Sequence, residues 1–437
     1  MKTIFIIFIL AFLFRFGLSF LVHHPDLNNH ADWGTRFFQY GPSKFFSPDA
    51  NVWNFTWPNQ PPGTIYMFAG VRKLYELVFS GLSYLHFQVH IFPGSTLLYL
   101  ELNLYSAILK LPAELADLGI AFIIYKIIFQ LVKNEKKKRK LALIGSLIFL
   151  FNPVVWYNSA VWGQYDAVIN FFALLAFYLL EKRKLNWALF LFAISIYTKA
   201  SLLIFAPIFL TIVIRQKYEI KEYLKALLIT GLVIGGITLP FSQGEPFSWL
   251  LKLFREKVFV DQLHSISANA FNLWGAVNGI HAAPQLFPET TPLLGLTYQY
   301  WSYILFTIFY LPALILVYKR QDLKSVIWSL AIAGLSSFML LTNMHERYLY
   351  PLFPYFSILV VLIPELYANY MAISLVSLLN LYNFWFIPLI PTLVSFMTAK
   401  DNLAARILSG INFLLFIFFY MRFVRYNFIN GGDETQN

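Results

Sequence analysis

The sequence predicts an all-α fold, a polytopic bundle of about 12–14 transmembrane helices, and three observations carry that prediction. Of 437 residues, 58% are hydrophobic and only 13% charged, whereas soluble domains carry roughly 25% charged residues. Mean hydropathy is +0.61, more apolar surface than a soluble core can absorb. The apolar runs are long and continuous rather than alternating. In lipid the backbone must satisfy its own hydrogen bonds, so such runs favour helices over a barrel. Finally, Lys and Arg gather in short loops between the runs, as the positive-inside rule requires.

The net charge of +11 has the same origin: it orients loops, and no nucleic-acid partner is expected. With no cysteine, a disulfide framework, a thiolate site and a Cys-based metal site are excluded. Residues 1–21 hold a Lys and an apolar run without a small-residue cleavage site, so they read as an uncleaved first helix.

Taken in order, clear spans are expected at Thr3–Leu21, Ala113–Val132, Leu141–Trp156, Ala167–Leu180, Leu224–Leu239, Tyr298–Tyr318, Val326–Leu341, Leu349–Ile363, Ala372–Phe396 and Ile407–Phe423. Shorter runs lie at Thr64–Leu85, Leu97–Leu111, Trp187–Tyr197 and Leu202–Ile214. Residues 1–426 then form one membrane domain. It has an acidic external loop at 22–63 carrying interfacial helices, a second external loop at 242–297, and a disordered cytoplasmic tail at 427–437. Lys133–Lys140 (KNEKKKRK) is the strongest cytoplasmic marker. Markers at Lys182–Lys184, Arg215–Lys225, Lys319–Lys324 and Arg422–Arg425 share its side. The unusual polar motifs therefore fall on the opposite face. The localisation expected is an integral multi-pass protein of a prokaryotic plasma membrane, or of the ER membrane if the source is eukaryotic, with its site extracytoplasmic.

The loop from His23 to Tyr66 holds the first candidates. Asp26 follows Pro25 just beyond the first helix, where a carboxylate at the bilayer face could act as a general base. Asp32, Trp33, His24, Asn28 and His30 surround it in sequence. Asp26 and Asp32 would lie nearly opposite on an interfacial helix. Two His and two Asp leave a divalent ion as an open alternative, but their spacing indicates no metal, and no cofactor is expected. Asn59 and Gln60 in Trp57-Pro58-Asn59-Gln60-Pro61-Pro62-Gly63 could bond sugar hydroxyls, with Trp53 and Trp57 stacking on sugar faces. An interfacial Trp belt explains the Trp residues equally well.

Four further motifs interrupt apolar sequence. Lys110, Glu114 and Asp117 read as a structural charge pairing. In Trp162-Gly163-Gln164-Tyr165-Asp166, Gln164 and Asp166 reach the boundary, where Asp166 either caps a helix or contacts a ligand. Lys199 sits between two half-length helices, a costly place for a charge. Asn343-Met344-His345-Glu346-Arg347-Tyr348 brings three ionisable groups together: Arg347 could grip a phosphate bidentately, His345 could donate to it and Glu346 orient either. Asn269 stands in the polar, aromatic stretch Asn269–Trp274. These residues suggest direct displacement at an anomeric carbon. Asp26 would deprotonate the acceptor hydroxyl while Arg347, His345 and Lys199 stabilise a leaving lipid phosphate.

The same residues resemble those of the integral-membrane GT-C glycosyltransferases that use polyprenyl- or dolichyl-phosphate sugars. The bacterial and archaeal mannosyltransferase-like proteins related to the GPI mannosyltransferases are the branch that most resembles this chain. The glucosyltransferases of lipid-linked N-glycan precursor assembly are a second. The likeness rests on the acidic first loop, Pro61-Pro62-Gly63, Trp162–Asp166, Lys199 between short helices, Asn269–Trp274 and His345–Tyr348. It implies a GT-C-like fold, Asp26 with Trp33 as the catalytic acid motif, and His345 and Arg347 on the lipid phosphate. It also implies transfer of a mannose- or glucose-like hexose, with inversion, to a glycan, lipid or protein acceptor. Asn59-Gln60 departs from the Asp or Asp-Tyr that many relatives place before Pro-Pro. The alternatives from other classes are a lipid-linked sugar flippase or transporter, a polysaccharide polymerase or ligase, and a membrane scaffold.

Overall fold

A computed structural model describes residues 2–47, 58–259, 264–280, 287–320 and 322–429. Trp53 and Trp57, and with them the expected sugar-stacking platform, lie outside the described residues. So does the tail from residue 430 onward, while Asn427 and the two residues after it continue a π turn, Arg425–Ile429.

The described chain is almost wholly helical. The helices are α1 (Lys2–Leu21), α2 (Leu27–Tyr40), α3 (Pro42–Phe45), α4 (Pro62–Tyr84), α5 (Gly94–Leu131), α6 (Glu135–Leu150), α7 (Pro153–Trp156), α8 (Asp166–Glu181) and α9 (Leu185–Thr198). They continue with α10 (Ala206–Gln216), α11 (Ile220–Ser242), α12 (Pro246–Leu253), α13 (Leu273–Asn278), α14 (Tyr298–Lys319), α15 (Leu323–Leu340), α16 (Leu352–Leu362), α17 (Tyr367–Tyr382) and α18 (Pro391–Val424). One two-stranded hairpin, Pro292–Leu293 with Leu296–Thr297, lies between α13 and α14. By length and composition, five described helices can cross a membrane, or six if α6 and the 153–162 segment, bent by 47°, form one span. The chain is an integral multi-pass membrane protein.

Helix starts follow local chemistry. Asn134 accepts bonds from the backbone of Lys136 and Lys137 at the head of α6, and Asp322 caps α15 at Ser325, each supplying an acceptor for an orphan N–H. Glu219 and Glu222 form a reciprocal capping box on α11. Proline opens α4 and α18, where its missing N–H costs nothing.

Several expected boundaries are corrected. The runs at 97–111 and 113–132 are one 38-residue helix, α5, with Pro112 inside it; neighbouring helices make such a proline tolerable in a membrane. The expected span Leu141–Trp156 stops at Leu150 because Asn152-Pro153 starts a new turn. The expected span Ala372–Phe396 is likewise divided: α17 ends at Tyr382 and α18 begins at Pro391, and α18 is itself broken by non-helical backbone at residues 399–402, ahead of the expected span Ile407–Phe423. As expected, short helices meet at Lys199, whose extended backbone separates α9 from a 3₁₀ turn, Ala200–Phe205, leading into α10.

Polar contacts in the interior fix the packing of α1, α5 and the segment after α7. Arg15, fully buried in α1, pairs with Asp117 of α5 at 3.3 Å and donates to the carbonyls of Ala11 and Leu150. Asp117 also accepts from Ser159 at 2.6 Å and Tyr350 at 2.5 Å. Lys110 donates to the carbonyls of Ser19 and Val22, and Ser19 donates to Glu114. The Lys110–Asp117 stretch is structural, as its sequence suggests, but its partners lie on and just after α1 and on the segments holding Ser159 and Tyr350 rather than within itself.

Removing one partner of a buried ion pair strands the other. Arg15→Ala is expected to cost about 3–5 kcal/mol, read as a lower unfolding midpoint in detergent. Arg15→Met with Asp117→Leu should recover much of the loss, and a double variant as unstable as the single one would refute a pairing role.

Candidate functional site

The site forms where four distant segments meet. The Tyr157–Trp162 stretch is a π turn ended by Gly163 in the left-handed region, φ +84°, which glycine adopts without strain. Such π turns recur at functional sites. This one turns the Trp162 and Gln164 side chains onto the first loop: Trp162 Nε1 and Gln164 Nε2 both donate to Asp26 Oδ2, at 2.9 and 2.8 Å. His24, fully buried, stacks between Trp162 and Trp385 with both centroid distances 4.5 Å, and its Nδ1 faces the backbone N–H of Asp26 at 3.2 Å.

The His345–Tyr348 turn arrives from the other half of the chain. Backbone bonds hold it: Ala268 donates to the Met344 carbonyl, Asn343 to that of Ser265, and Ser265 to Asn343 Oδ1. The Arg347 guanidinium lies 5.7 Å from the Trp162 ring and 5.6 Å from Tyr348, and its Nη1 donates to Glu346 at 3.3 Å. Arg347 Nε is buried without a hydrogen-bond partner. Beneath this layer Lys199 pairs with Asp166 at 2.5 Å, both about nineteen-twentieths buried, with the Tyr165 and Tyr348 rings 5.2 and 5.4 Å from its ammonium. Gly63, at the start of α4, makes this closeness feasible: a Cβ there would sit 2.7 Å from the Tyr197 carbonyl and 2.9 Å from Thr198 Cα.

Electrostatics follow from this enclosure. Burial pushes Asp26 up, but Arg347, His24, the Trp162 hydrogen bond and His30 outweigh it, and the carboxyl lies below its usual range. Burial, with Arg347 second, holds His345 down at about 3. Burial likewise lowers His24 and His30 to about 3, against the pull of Asp26. Burial raises Glu346, opposed by Arg347. The site therefore presents neutral imidazoles, one charged carboxylate and a guanidinium with a spare donor.

Of the residues expected at the site, Asp26, His30, Gln164, Asp166, Lys199, His345, Glu346 and Arg347 come together. His30 stacks on Phe68 at 4.2 Å and faces Tyr165. Buried Trp33 lies beside His30. Four others, Asp32, Asn59, Gln60 and Asn269, make different contacts. Asp32 pairs with Arg36 on α2 at 2.7 Å. Gln60 donates to its neighbour Asn59 at 3.1 Å. The Asn269 amide exchanges bonds with Asn383, 3.0 Å to its carbonyl and 2.7 Å from its Nδ2; only the backbone of Asn269 reaches His345. Asp166 caps nothing; it is the first residue of α8 and the counterion of Lys199. Among the described residues no group of three or more His, Asp or Glu is placed to hold a metal ion.

Sequence reasoning missed Arg15, Tyr350 and Trp385. A lone Arg in a long apolar run demands a buried partner, a signal that was there to be read. Tyr350 and Trp385 carried none, since aromatics abound in this chain.

Fold and site define a polytopic membrane protein with an enclosed polar cluster where an acidic loop meets a basic turn. Residues 75–309 match the family model of the GPI transamidase subunit PIG-U, more than half of the chain, and the chain belongs to that family. No curated protein matches it. This membership corrects the expectation of a hexosyltransferase, because the family is described as a subunit of the GPI transamidase.

The three buried imidazoles make a pH prediction. Unfolded His titrates near 6.5, so between about pH 6.5 and 3 the unfolded chain binds more protons, and stability falls as pH drops through that window. Asp26, with its depressed pKa, adds to the loss only at the acid end. The melting temperature in detergent should hold near pH 7 and decline steadily below about 6.5, less steeply in His345→Gln. A flat profile would show that these rings are not buried neutral.

Proposed function

We propose that this chain is a non-catalytic membrane subunit that holds the phosphate-bearing headgroup of a glycolipid where the first loop meets the His345–Tyr348 turn. The observation that carries this reading is Arg347. Its guanidinium lies over Trp162 and its Nε is buried with no partner, in a chain of a GPI transamidase subunit family. A phosphate oxygen would satisfy that donor, and a charge-assisted hydrogen bond of this kind contributes about 1.5–3 kcal/mol. His345, neutral at physiological pH, donates a further bond. Asp26, fixed by Trp162 and Gln164, offers an acceptor to headgroup hydroxyls. Lys199 has a different part from the one its sequence suggests: matched by Asp166, it orders the floor of the site and leaves Arg347 as the phosphate contact.

In this reading the GT-C-like arrangement of acidic loop and basic turn serves recognition. The chain assembles, as the family's description implies, into a membrane complex acting on GPI-bearing substrates, and it presents the glycolipid to a catalytic partner.

Binding of a GPI glycolipid to the purified protein, followed by native mass spectrometry, tests this. Arg347→Ala should weaken binding about tenfold or more, corresponding to at least about 1.4 kcal/mol. Arg406→Ala, which removes only surface bonds to the Ala276 and Val277 carbonyls, should leave it unchanged. Equal effects would sink the reading, and preferential retention of a polyprenyl-phosphate sugar in the same assay would replace the ligand.

A further inference from the structure

From Lys110 onward α5 runs antiparallel to α1: Lys110 donates to the Ser19 and Val22 carbonyls, Ser19 donates to Glu114, and Asp117 pairs with Arg15. The stretch 110–131 is about 32 Å long at 1.5 Å per residue, which matches the roughly 30 Å hydrocarbon core of a bilayer. Its companion α1 is one of the helices long and apolar enough to cross. The leading part of α5, residues 94–109, therefore lies outside the hydrocarbon, at the C-terminal end of α1. It forms a helical hairpin with the second half of α4, where the Tyr75 and Tyr105 rings are 4.7 Å apart.

This hairpin does not stand upright. A straight helix rising from Lys110 would carry Tyr99 about 16 Å away, farther than a tyrosine side chain reaches. Yet Tyr99 stacks on Phe20 with ring centroids 6.4 Å apart and donates to the Phe20 carbonyl at 3.5 Å, and Ser106 meets His23 at 3.2 Å. Pro112 deprives α5 of a backbone hydrogen bond near that level, which lets the helix lean. The hairpin thus lies across the end of α1, at the height where hydrocarbon gives way to headgroups. Its surface suits that place. No residue from 72 to 103 is buried, and Leu77, Tyr84, Phe87, Val89, Ile91 and Leu102 are each more than half exposed. Residues 77–100 contain no Lys, Arg, Asp or Glu. The charges gather at the base, where Glu76 pairs with Arg72 and Lys73 at 3.0 and 2.7 Å. An uncharged apolar surface of this extent is unfavourable in water, whereas aromatic side chains favour the headgroup boundary.

We propose that the hairpin of α4 and α5 is an interfacial anchor, embedded in the headgroup–acyl boundary of the bilayer with its tip, residues 84–91, among the upper acyl carbons. Helices of this kind bind through their apolar area and sink about 5–10 Å. A lipid surface is favoured over a protein partner because Tyr99 ties the apolar face to the end of a spanning helix. The anchor also sets the height of the candidate site, since the first half of α4 stacks Phe68 on His30 and packs Gly63 against Thr198. It rests on the fold alone, independently of the headgroup reading.

The chain has no cysteine, so Phe87→Cys, Leu77→Cys and Leu232→Cys can each carry a single bimane label on the full-length protein in nanodiscs. Quenching is read with lipids bearing a nitroxide near the headgroup or near the chain end, and with aqueous iodide. Leu232, exposed midway along the spanning helix α11, is the deep reference, and Lys136→Cys, exposed in the first turn of α6, is the aqueous one. Labels at Phe87 and Leu77 should be quenched about threefold more by the shallow nitroxide than by the deep one, with Leu232 showing the reverse and iodide reaching Lys136 alone. Phe87→Asp should bring the Leu77 label within reach of iodide and leave Leu232 unchanged. Iodide quenching at Phe87 and Leu77 in the unaltered hairpin would overturn the anchor and leave that face to a protein partner. Strongest quenching there by the deep nitroxide would overturn it in favour of a spanning hairpin. A Leu77 label indifferent to Phe87→Asp would refute insertion through the tip.

Discussion

Asp117 accepts from three directions: Arg15 of the first helix, Ser159 of the π turn and Tyr350 just beyond the basic turn. An Arg at the centre of a membrane helix is unfavourable by about 2.5–3.5 kcal/mol on insertion scales, and a lone buried carboxylate is no better off. Both become tolerable only when they meet, and the geometry that lets them meet fixes much else. Ser159 lies three residues before Trp162, and Tyr350 three residues after Arg347. Holding both on one carboxylate sets the register of the two segments that later form the site, so that Arg347 comes to rest over Trp162.

Above that anchor the charges come already matched. Lys199 has Asp166, Arg347 has Glu346, and Asp26 has two N–H donors. A catalytic site keeps at least one group poised to exchange a proton near neutral pH. Here the imidazoles are held neutral and the loop carboxylate charged. Among the site's buried polar atoms without a partner are His24 Nε2, His30 Nδ1 and Asp166 Oδ2 as well as the donor Arg347 Nε, and that donor is the one an anion would satisfy.

The segment between α12 and α14 contributes rigidity. Asn272 caps α13 and donates to the Phe338 carbonyl, Trp274 donates to that of Leu340, and Asn380 and Asn412 hold the backbone on either side of Phe271. These amides satisfy backbone groups that an irregular segment would otherwise leave unpaired against the bundle. The motif Asn269–Trp274 is thus scaffolding for the His345 turn, to which it is bridged through the backbone of Ala268 and Asn269.

The sequence by itself determined the all-α membrane class, because backbone satisfaction in lipid leaves few choices once the composition is this apolar. It also pointed to the His345–Arg347 turn as the partner of the acidic loop, where the structure brings Arg347 close to Asp26. Helix joins were less legible. Pro112 reads as a break yet sits inside α5, because tertiary neighbours decide whether a proline ends a membrane helix, while Asn383 divides a run whose hydropathy is continuous. Only the tertiary structure decided the pairings. Charge sequence cannot say that Lys199 meets Asp166 or that Arg15 reaches across to Asp117, because each depends on which helix faces pack together; the Asp32–Arg36 pair, four residues apart on α2, was open to sequence reasoning.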